Sequence, residues 1–454
     1  MADITLSYKG STIAEISDSG TKTLNTAGKY CEDDITLEYE KPSGGGDIDN
    51  EPADVTFIDY DGTILYTYTA DEFLALEGMP ANPDRTSDGL TAQGWNWSFA
   101  GARAYVQNHG MLVVGQMYEP TDGDTHVFVH VFDHATPTTF RWYQSVSNGV
   151  SVNFGDGNPA VTVSGTGIVT YSKAYTTDDD YEIVFHKVTG NWYFSITATS
   201  APFVLRDGEA LAVKKVYIGT INAPSFMNVF DGLINMSSLV IGPSNATKIS
   251  AVRIVSNTGT KGFVVPAGTT SITTSTLAGN PRCKYISLPE SMTSISGSGA
   301  MTENGSLLMI TIPDSVTSIG GNAFVRCTSL KGASLSNSIK TILGIFALDI
   351  SLQHIKIPEG VTSIANYAFQ TATNLLDIDL PTTVTSIGTG AFSGIKNCRK
   401  ITVRATTPPT LTNSNAFSDM PSDCVIFVPL GTLSTYQAAT NWTTHASRMQ
   451  EADV

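Results

Sequence analysis

Between about Val216 and Val428 the apolar residues return at fixed offsets. The last apolar residue of each strand-like segment, just before a proline or its equivalent, falls at Ile218, Ile241, Val264, Leu288, Ile312, Leu335, Ile357, Leu380 and Val403, separated by 23, 23, 24, 24, 23, 22, 23 and 23 residues. Each copy then repeats an apolar residue in a Ser-Ile or Thr-Ile pair (Ile295, Ile319, Ile342, Ile364, Ile387) and a phenylalanine, usually after alanine (Phe324, Phe346, Phe369, Phe392, Phe417). A repeat this short cannot enclose a core alone, so successive copies must stack and share one. The pattern predicts an elongated solenoid. Within each strand, side chains alternate faces, so the residues between the buried ones form an outward ladder: Ser287, Thr311, Ser334, Lys356, Asp379 and Thr402, flanked by Tyr285, Met309, His354, Asp377, Lys400 and Arg404. Residues beyond Val403, with a helix expected over about 434–448 and Tyr436 and Trp442 as covers, supply the cap that the last open apolar face requires.

Upstream the periodicity changes twice. Residues 54–135 mix strands (VTFI, ILYTYT, MLVVGQMY, HVFVHVF) with two helix signals: a Thr69/Glu72 capping box with a stop at Gly78, and Ser98 as cap for a helix from Phe99 to Asn108. This predicts a small α+β domain. Residues 136–208 carry short strands at regular spacing (FRWYQSV, VSVNF, AVTVS, IVTYSKAY, YEIVFHKV, NWYFSITA), the pattern of a β-sandwich. Residues 1–41 alternate as a small β module, and residues 42–53, with Pro42 and the SGGGD run, read as a flexible linker. The expected fold class is therefore mainly β and multidomain, with the solenoid and its cap over 209–454.

Composition narrows the function classes. With 42 acidic and 26 basic residues, a net charge of −16, the chain lacks the basic patches that phosphate backbones require. Neither nucleic acid nor insertion into a membrane is expected. The five cysteines (Cys31, Cys283, Cys327, Cys398, Cys424) show no CxxC or ladder spacing, so neither a zinc site nor a disulfide framework is indicated. The start, MADITLSYKG, has no apolar run suited to export, and no apolar stretch reaches membrane-spanning length. These features lead us to expect a chain made in the cytosol that stays soluble.

Three resemblances add to this reading. The repeats resemble the BspA-like leucine-rich repeat of bacterial surface and host-interaction proteins, which implies a leucine-rich-repeat solenoid built for binding. The N-terminal residues Tyr8, Gly10, Ile13, the run Asp18-Ser19-Gly20-Thr21-Lys22-Thr23-Leu24, Gly28-Lys29-Tyr30 and Asp34-Ile35-Thr36-Leu37-Glu38-Tyr39 resemble a module recurring on virion and tail-associated proteins of bacteriophages. Phe154-Gly155-Asp156-Gly157, followed by Tyr171 to Tyr175 and Tyr181-Glu182-Ile183, resembles the immunoglobulin-like polycystic-kidney-disease (PKD) pattern, with Val152 where the family carries tryptophan.

No catalytic constellation stands out. Asp59-Tyr60-Asp61-Gly62-Thr63 matches the DxDGT signature of haloacid-dehalogenase phosphotransferases, but a second strand follows within two residues, so an Asp-Gly hairpin is the expected structure. His126 and His130 share a strand face beside Asp133-His134; a solvent-facing hairpin is preferred over a metal site. Asp156 and Asp178-Asp179-Asp180 read as solvated acidic loops rather than calcium ligands, and Trp95, Trp97, Trp142 and Trp192 as core aromatics rather than sugar platforms. The expected function is non-enzymatic and needs no cofactor: a virion protein, assembled in the host cytoplasm, joined to other virion proteins through residues 1–41. Its middle domains act as a stalk, and its repeats meet a host surface protein or glycan, as in a tail fibre. The alternatives are a capsid-attached head fibre and a bacterial surface adhesin. A homo-oligomer is left open. The nominated binding residues are Lys356, Asp377, Asp379, Lys400, Thr402, Arg404, His354, Thr311 and Tyr285.

Overall fold

The computed structural model describes the backbone of four N-terminal strands, residues 53–193, 211–219 and 259–454 except Thr274, and short stretches between 230 and 256. In the N-terminal module Ile4–Tyr8 pairs antiparallel with Ser11–Ile16, and Gly20–Leu24 with Ile35–Tyr39. All of the expected linker (42–53) but its last residue, the end of the expected sandwich from 194 to 208, and residues 209 and 210 lie outside the described residues.

The repeats form a solenoid of parallel strands. On its main face a five-stranded sheet runs in chain order from Gly262–Val264 through Tyr285–Ser287, Met309–Thr311 and Gly332–Ser334 to His354–Ile355. A four-stranded sheet continues with Asp377–Leu380, Lys400–Val403, Val425–Pro429 and Met449–Ala452. The Ser-Ile and Thr-Ile pairs form a second ladder of two-residue strands. The phenylalanines stack along the axis: Phe324, Phe346, Phe369, Phe392 and Phe417 lie 5.2–5.6 Å apart with ring planes within 15° of parallel. This spacing is one turn of the solenoid, so each ring is buried only because its neighbours are present. The stack ends on Trp442, whose indole N–H donates to Pro409 O at 2.7 Å, and Tyr436 OH donates to Ala405 O at 2.5 Å. The expected single cap helix is instead a short helix, Leu433–Ala438, a 3-10 segment, Trp442–Arg448, and a closing strand.

One repeat position is corrected. Val264 pairs with Ser287 and therefore lies on the outer face, while Val265, directly before Pro266, takes the buried position equivalent to Leu288. The spacing alone does not separate two adjacent valines, but the proline that follows Val265 does, and a slip of one residue exchanges the faces.

The α+β domain has a four-stranded sheet in the order Ile64–Tyr68, Val55–Ile58, Leu112–Pro120, Leu90–Trp95. Its helices are Ala70–Leu74, which carries the complete Thr69/Glu72 capping box but stops short of Gly78, and Phe99–His109, capped by Ser98 and ended by Gly110 at φ 77°. The strand Thr125–Val131, expected in this domain, instead joins a six-stranded sheet with Val161–Thr162, Val150–Asn153, Asp180–Lys187, Leu211–Ile218 and Ser238–Ile241. That sheet faces a three-stranded one across a core containing Phe140, Trp142, Phe185 and Trp192. Because Leu211–Ile218 pairs antiparallel with Thr125–Val131 and parallel with Ser238–Ile241, the sandwich runs directly into the first repeats.

The α+β domain is docked on the side of the repeats and does not stand ahead of them as a length of stalk. Strand Leu112–Pro120 is buried on both faces: Leu112 and Val114 enter the α+β core, while Val113 and Met117 pack with Val264, Tyr285 and Met309 of the solenoid. Close approach depends on glycines: a Cβ on Gly262 would lie 2.3 Å from Gly62 Cα, and one on Gly115 would lie 2.5 Å from Val264 Cγ1.

Candidate functional site, a cleft at the edge of the docked domain

The outward ladder is set by strand alternation, but the α+β domain occupies its first half. Asn96 clasps the junction: its Nδ2 donates to Val265 O at 3.0 Å and Ser287 Oγ at 2.9 Å, and its Oδ1 accepts from Gly115 N at 2.8 Å. Ser287 Oγ also donates to Val113 O, and Thr311 Oγ1 accepts from Val113 N at 3.2 Å. Trp97 Nε1 donates to Leu288 O at 2.7 Å. Tyr105 OH reaches Ile312 O at 2.9 Å and Ser334 Oγ at 2.7 Å. Burial pushes the Tyr105 phenol well above its ordinary range, so it acts as a neutral hydrogen-bonding group. Tyr285, Ser287, Met309, Thr311 and Ser334 are all under 8% exposed, which removes Tyr285 and Thr311 from any binding surface. Thr402 is also buried, in register between Asp379 and Phe427. The hydroxyl-bearing first half of the ladder, Ser287, Thr311 and Ser334, is an internal interface.

Where the docked domain ends, the face opens into a cleft of about 500 Å³. Four of the nominated residues, His354, Lys356, Asp377 and Asp379, line it together with His109 and Asp54 from the docked domain, over a floor that includes Met111, Met309 and Ala333. His354, Lys356, Asp377 and Asp379 come from successive repeats and are exposed. Lys356 Nζ lies 3.4 Å from Asn108 O across the cleft, and His109, stacked on Tyr105 with centroids 4.0 Å apart, holds Asp314 at 3.0 Å. Arg404 grips Asp379 through two hydrogen bonds of 2.7 Å, and that carboxylate keeps the guanidinium firmly charged. Arg404 thus acts on the cleft through Asp379, while Lys400 sits over the Phe427 ring at 5.4 Å and does not line it. Sequence reasoning missed His109, Asp54 and Met111, which lie about 150 residues or more from the repeats they meet; only the failure of MLVVGQMY to alternate hinted that a second face needed covering.

The other chemical candidates are occupied. Asp59 is fully buried, accepts Arg85 Nε at 2.9 Å and its NH2 group at 2.5 Å, and sits in a hairpin closed by Asp59 N to Thr63 O at 2.8 Å. His126 lies between Asp122 at 2.9 Å and Glu182 at 2.7 Å, and His130, His134 and His186 meet Asp180, Asp178 and Asp124. Asp156 binds Lys173. Among the described residues no group of three or more His, Cys, Asp or Glu is placed to hold a metal, and no helix is long and apolar enough to cross a membrane. Trp95, Trp97, Trp142 and Trp192 are buried.

Comparison with known proteins bears on the repeats. Residues 226–331 and 297–425 match the model of the BspA type leucine rich repeat region, with 6 copies. Solved structures similar to this chain include a leucine-rich repeat protein from Bacteroides ovatus, 17% identical, with 57% of this chain and 76% of that one covered and a TM-score of 0.30. A leucine rich cell surface protein from Faecalibacterium prausnitzii is 20% identical over 45% and 76% of the two chains, with a TM-score of 0.22. A T. pallidum leucine rich repeat protein is 18% identical over 43% and 87%, with a TM-score of 0.25. No curated protein matches. The segment from 226 to 425 is thus a run of BspA-type leucine-rich repeats, stacked as a solenoid and partly covered by the chain's own α+β domain.

Proposed function

We propose that this chain is a non-enzymatic recognition protein that holds a polar ligand, a host-surface glycan or a protein loop, in the cleft beside the docked domain. The observation that carries this is the convergence of His354, Lys356, Asp377 and Asp379 from successive repeats with His109 and Asp54 over an apolar floor. Donors and acceptors of both kinds around a few exposed apolar atoms suit a ring that presents hydroxyls at its edge and C–H groups on its face. Residues 1–41 act in this reading as the attachment module, carrying the repeats on a virion as a tail or head fibre does. A second reading, a bacterial surface protein, is favoured by the BspA-type repeats themselves and uses the same cleft.

Binding of the purified full chain to host cells and glycan arrays tests the cleft. Simultaneous substitution His354→Ala, Lys356→Ala and Asp377→Ala is expected to lower binding at least tenfold, with an unchanged circular-dichroism spectrum and melting point. Unchanged binding by the triple variant would remove the cleft from consideration. Deleting residues 1–41 separates the carriers: loss of the chain from purified virions supports the first, and its presence only in cell-envelope fractions supports the second.

A further inference from the structure

The sequence gives no sign of a disulfide, yet the fold brings two thiols from neighbouring turns together. Cys398 lies two residues before the strand Lys400–Val403, Cys424 immediately before Val425–Pro429, and these strands pair in parallel with Lys400 opposite Val425. Their Sγ atoms are 3.4 Å apart across 26 residues of chain, and both side chains are buried. With the sulfurs already this close, closing to a covalent bond needs a further approach of only about 1.4 Å. We propose that Cys398 and Cys424 form a redox-controlled disulfide that staples the last repeats to the cap.

The bond would form by exchange with a low-molecular-weight disulfide. The Cys424 thiolate attacks one sulfur of the small disulfide, whose S–S bond breaks and releases one small thiolate. The Cys398 sulfur then attacks the Cys424 sulfur of the mixed disulfide and expels the second. The protein gives up two protons and two electrons, and one small disulfide becomes two thiols. The neighbouring Cys398 thiol, together with the Arg448 charge, holds Cys424 below the ordinary thiol range; the same exchange with the two cysteines interchanged gives the same disulfide. Because both sulfurs are buried, the reaction waits on local opening of the terminal turns. The staple encloses Phe417, the last ring of the stack, and Thr407-Pro408-Pro409, whose carbonyl at Pro409 anchors Trp442.

The test uses the full chain with Cys31→Ser, so that no thiol from the N-terminal module can pair, incubated folded with oxidised glutathione. The expected result is loss of two hydrogens in the intact mass, a cross-linked peptide joining residues 398 and 424, and a thermal midpoint higher by about 5 °C that dithiothreitol reverses. Adding Cys398→Ser should abolish all three changes while leaving the reduced-state midpoint within a few degrees. A folded chain that keeps its thiols under oxidant able to oxidise the unfolded chain, or a cross-link mapped to Cys283 or Cys327, would overturn the proposal.

Discussion

Asn96 shows how one side chain can join two domains. Its amide spends both ends across the junction, donating to Val265 O and Ser287 Oγ and accepting from Gly115 N, all in a site without water access. Removing it leaves a backbone carbonyl and a backbone N–H without that partner, so Asn96→Ala should destabilise the full chain by about 1–3 kcal/mol. Chemical denaturation checks this; a change under a few tenths of a kcal/mol would mean the clasp is incidental. The role was not legible in the sequence, where Asn96 stands between two tryptophans that invite a reading as a sugar platform. Trp95 and Trp97 are core residues as read, but the asparagine's partners are fixed by a packing that no local pattern encodes. Val264 makes the same point: its chemistry fits either face, and only the docked strand gives an outward valine a place to be buried.

Among the elements, the turns that precede each strand carry a second internal ladder. Asn280 N donates to Asn304 Oδ1 at 2.9 Å, and Asn304 Nδ2 donates to Leu277 O and Met301 O. One stretch further on, Cys327 N donates to Asp349 Oδ1 at 2.8 Å, so Asp349 takes the role of an asparagine while its Oδ2 has no partner. Burial pushes the Asp349 carboxyl well above the usual carboxylate range. The sign follows from linkage. Below the unfolded pKa near 3.8 both states hold the proton and there is no penalty. Above it the unfolded chain releases the proton while the folded one keeps it, so stability falls as pH rises toward the folded pKa. Asp349→Asn should therefore raise the melting temperature, with a larger gain at pH 8 than at pH 4. An equal gain at both would mean the carboxyl is ionised in the fold. The solenoid itself was readable because its period repeats nine times; this ladder was not, because its members are Asn, Asn, Cys and Asp.

At the scale of the whole molecule, the docked domain decides which part of the repeat face remains for a ligand. Alternation along the strands placed Ser287, Thr311 and Ser334 outside the solenoid core, and so they are, but a solenoid face free in an isolated repeat array is here covered by Leu112–Pro120 and Phe99–His109. His354, Lys356, Asp377 and Asp379, nominated from strand alternation and charge, stay open and are joined by His109 and Asp54. The composition of the helix and strand that cover the face gave some warning: MLVVGQMY does not alternate, and a strand apolar on both sides needs two layers to bury it. Its second layer lies about 150 to 200 residues away in sequence, beyond the reach of periodicity.

Amide hydrogen exchange on the full chain tests this docking most directly, comparing wild type with Gly262→Val. The new side chain would place its Cβ 2.3 Å from Gly62 Cα, in a strand where the residue's own backbone is not strained, and should lift the α+β domain from the solenoid. In the wild type, residues 112–117, 285–287 and 309–311 should exchange slowly and as one group. In the variant all three should lose protection together, while the Phe392 and Phe417 turns keep theirs. Unaltered protection in 112–117 and 285–311, or fast exchange there already in the wild type, would contradict a face closed by the α+β domain.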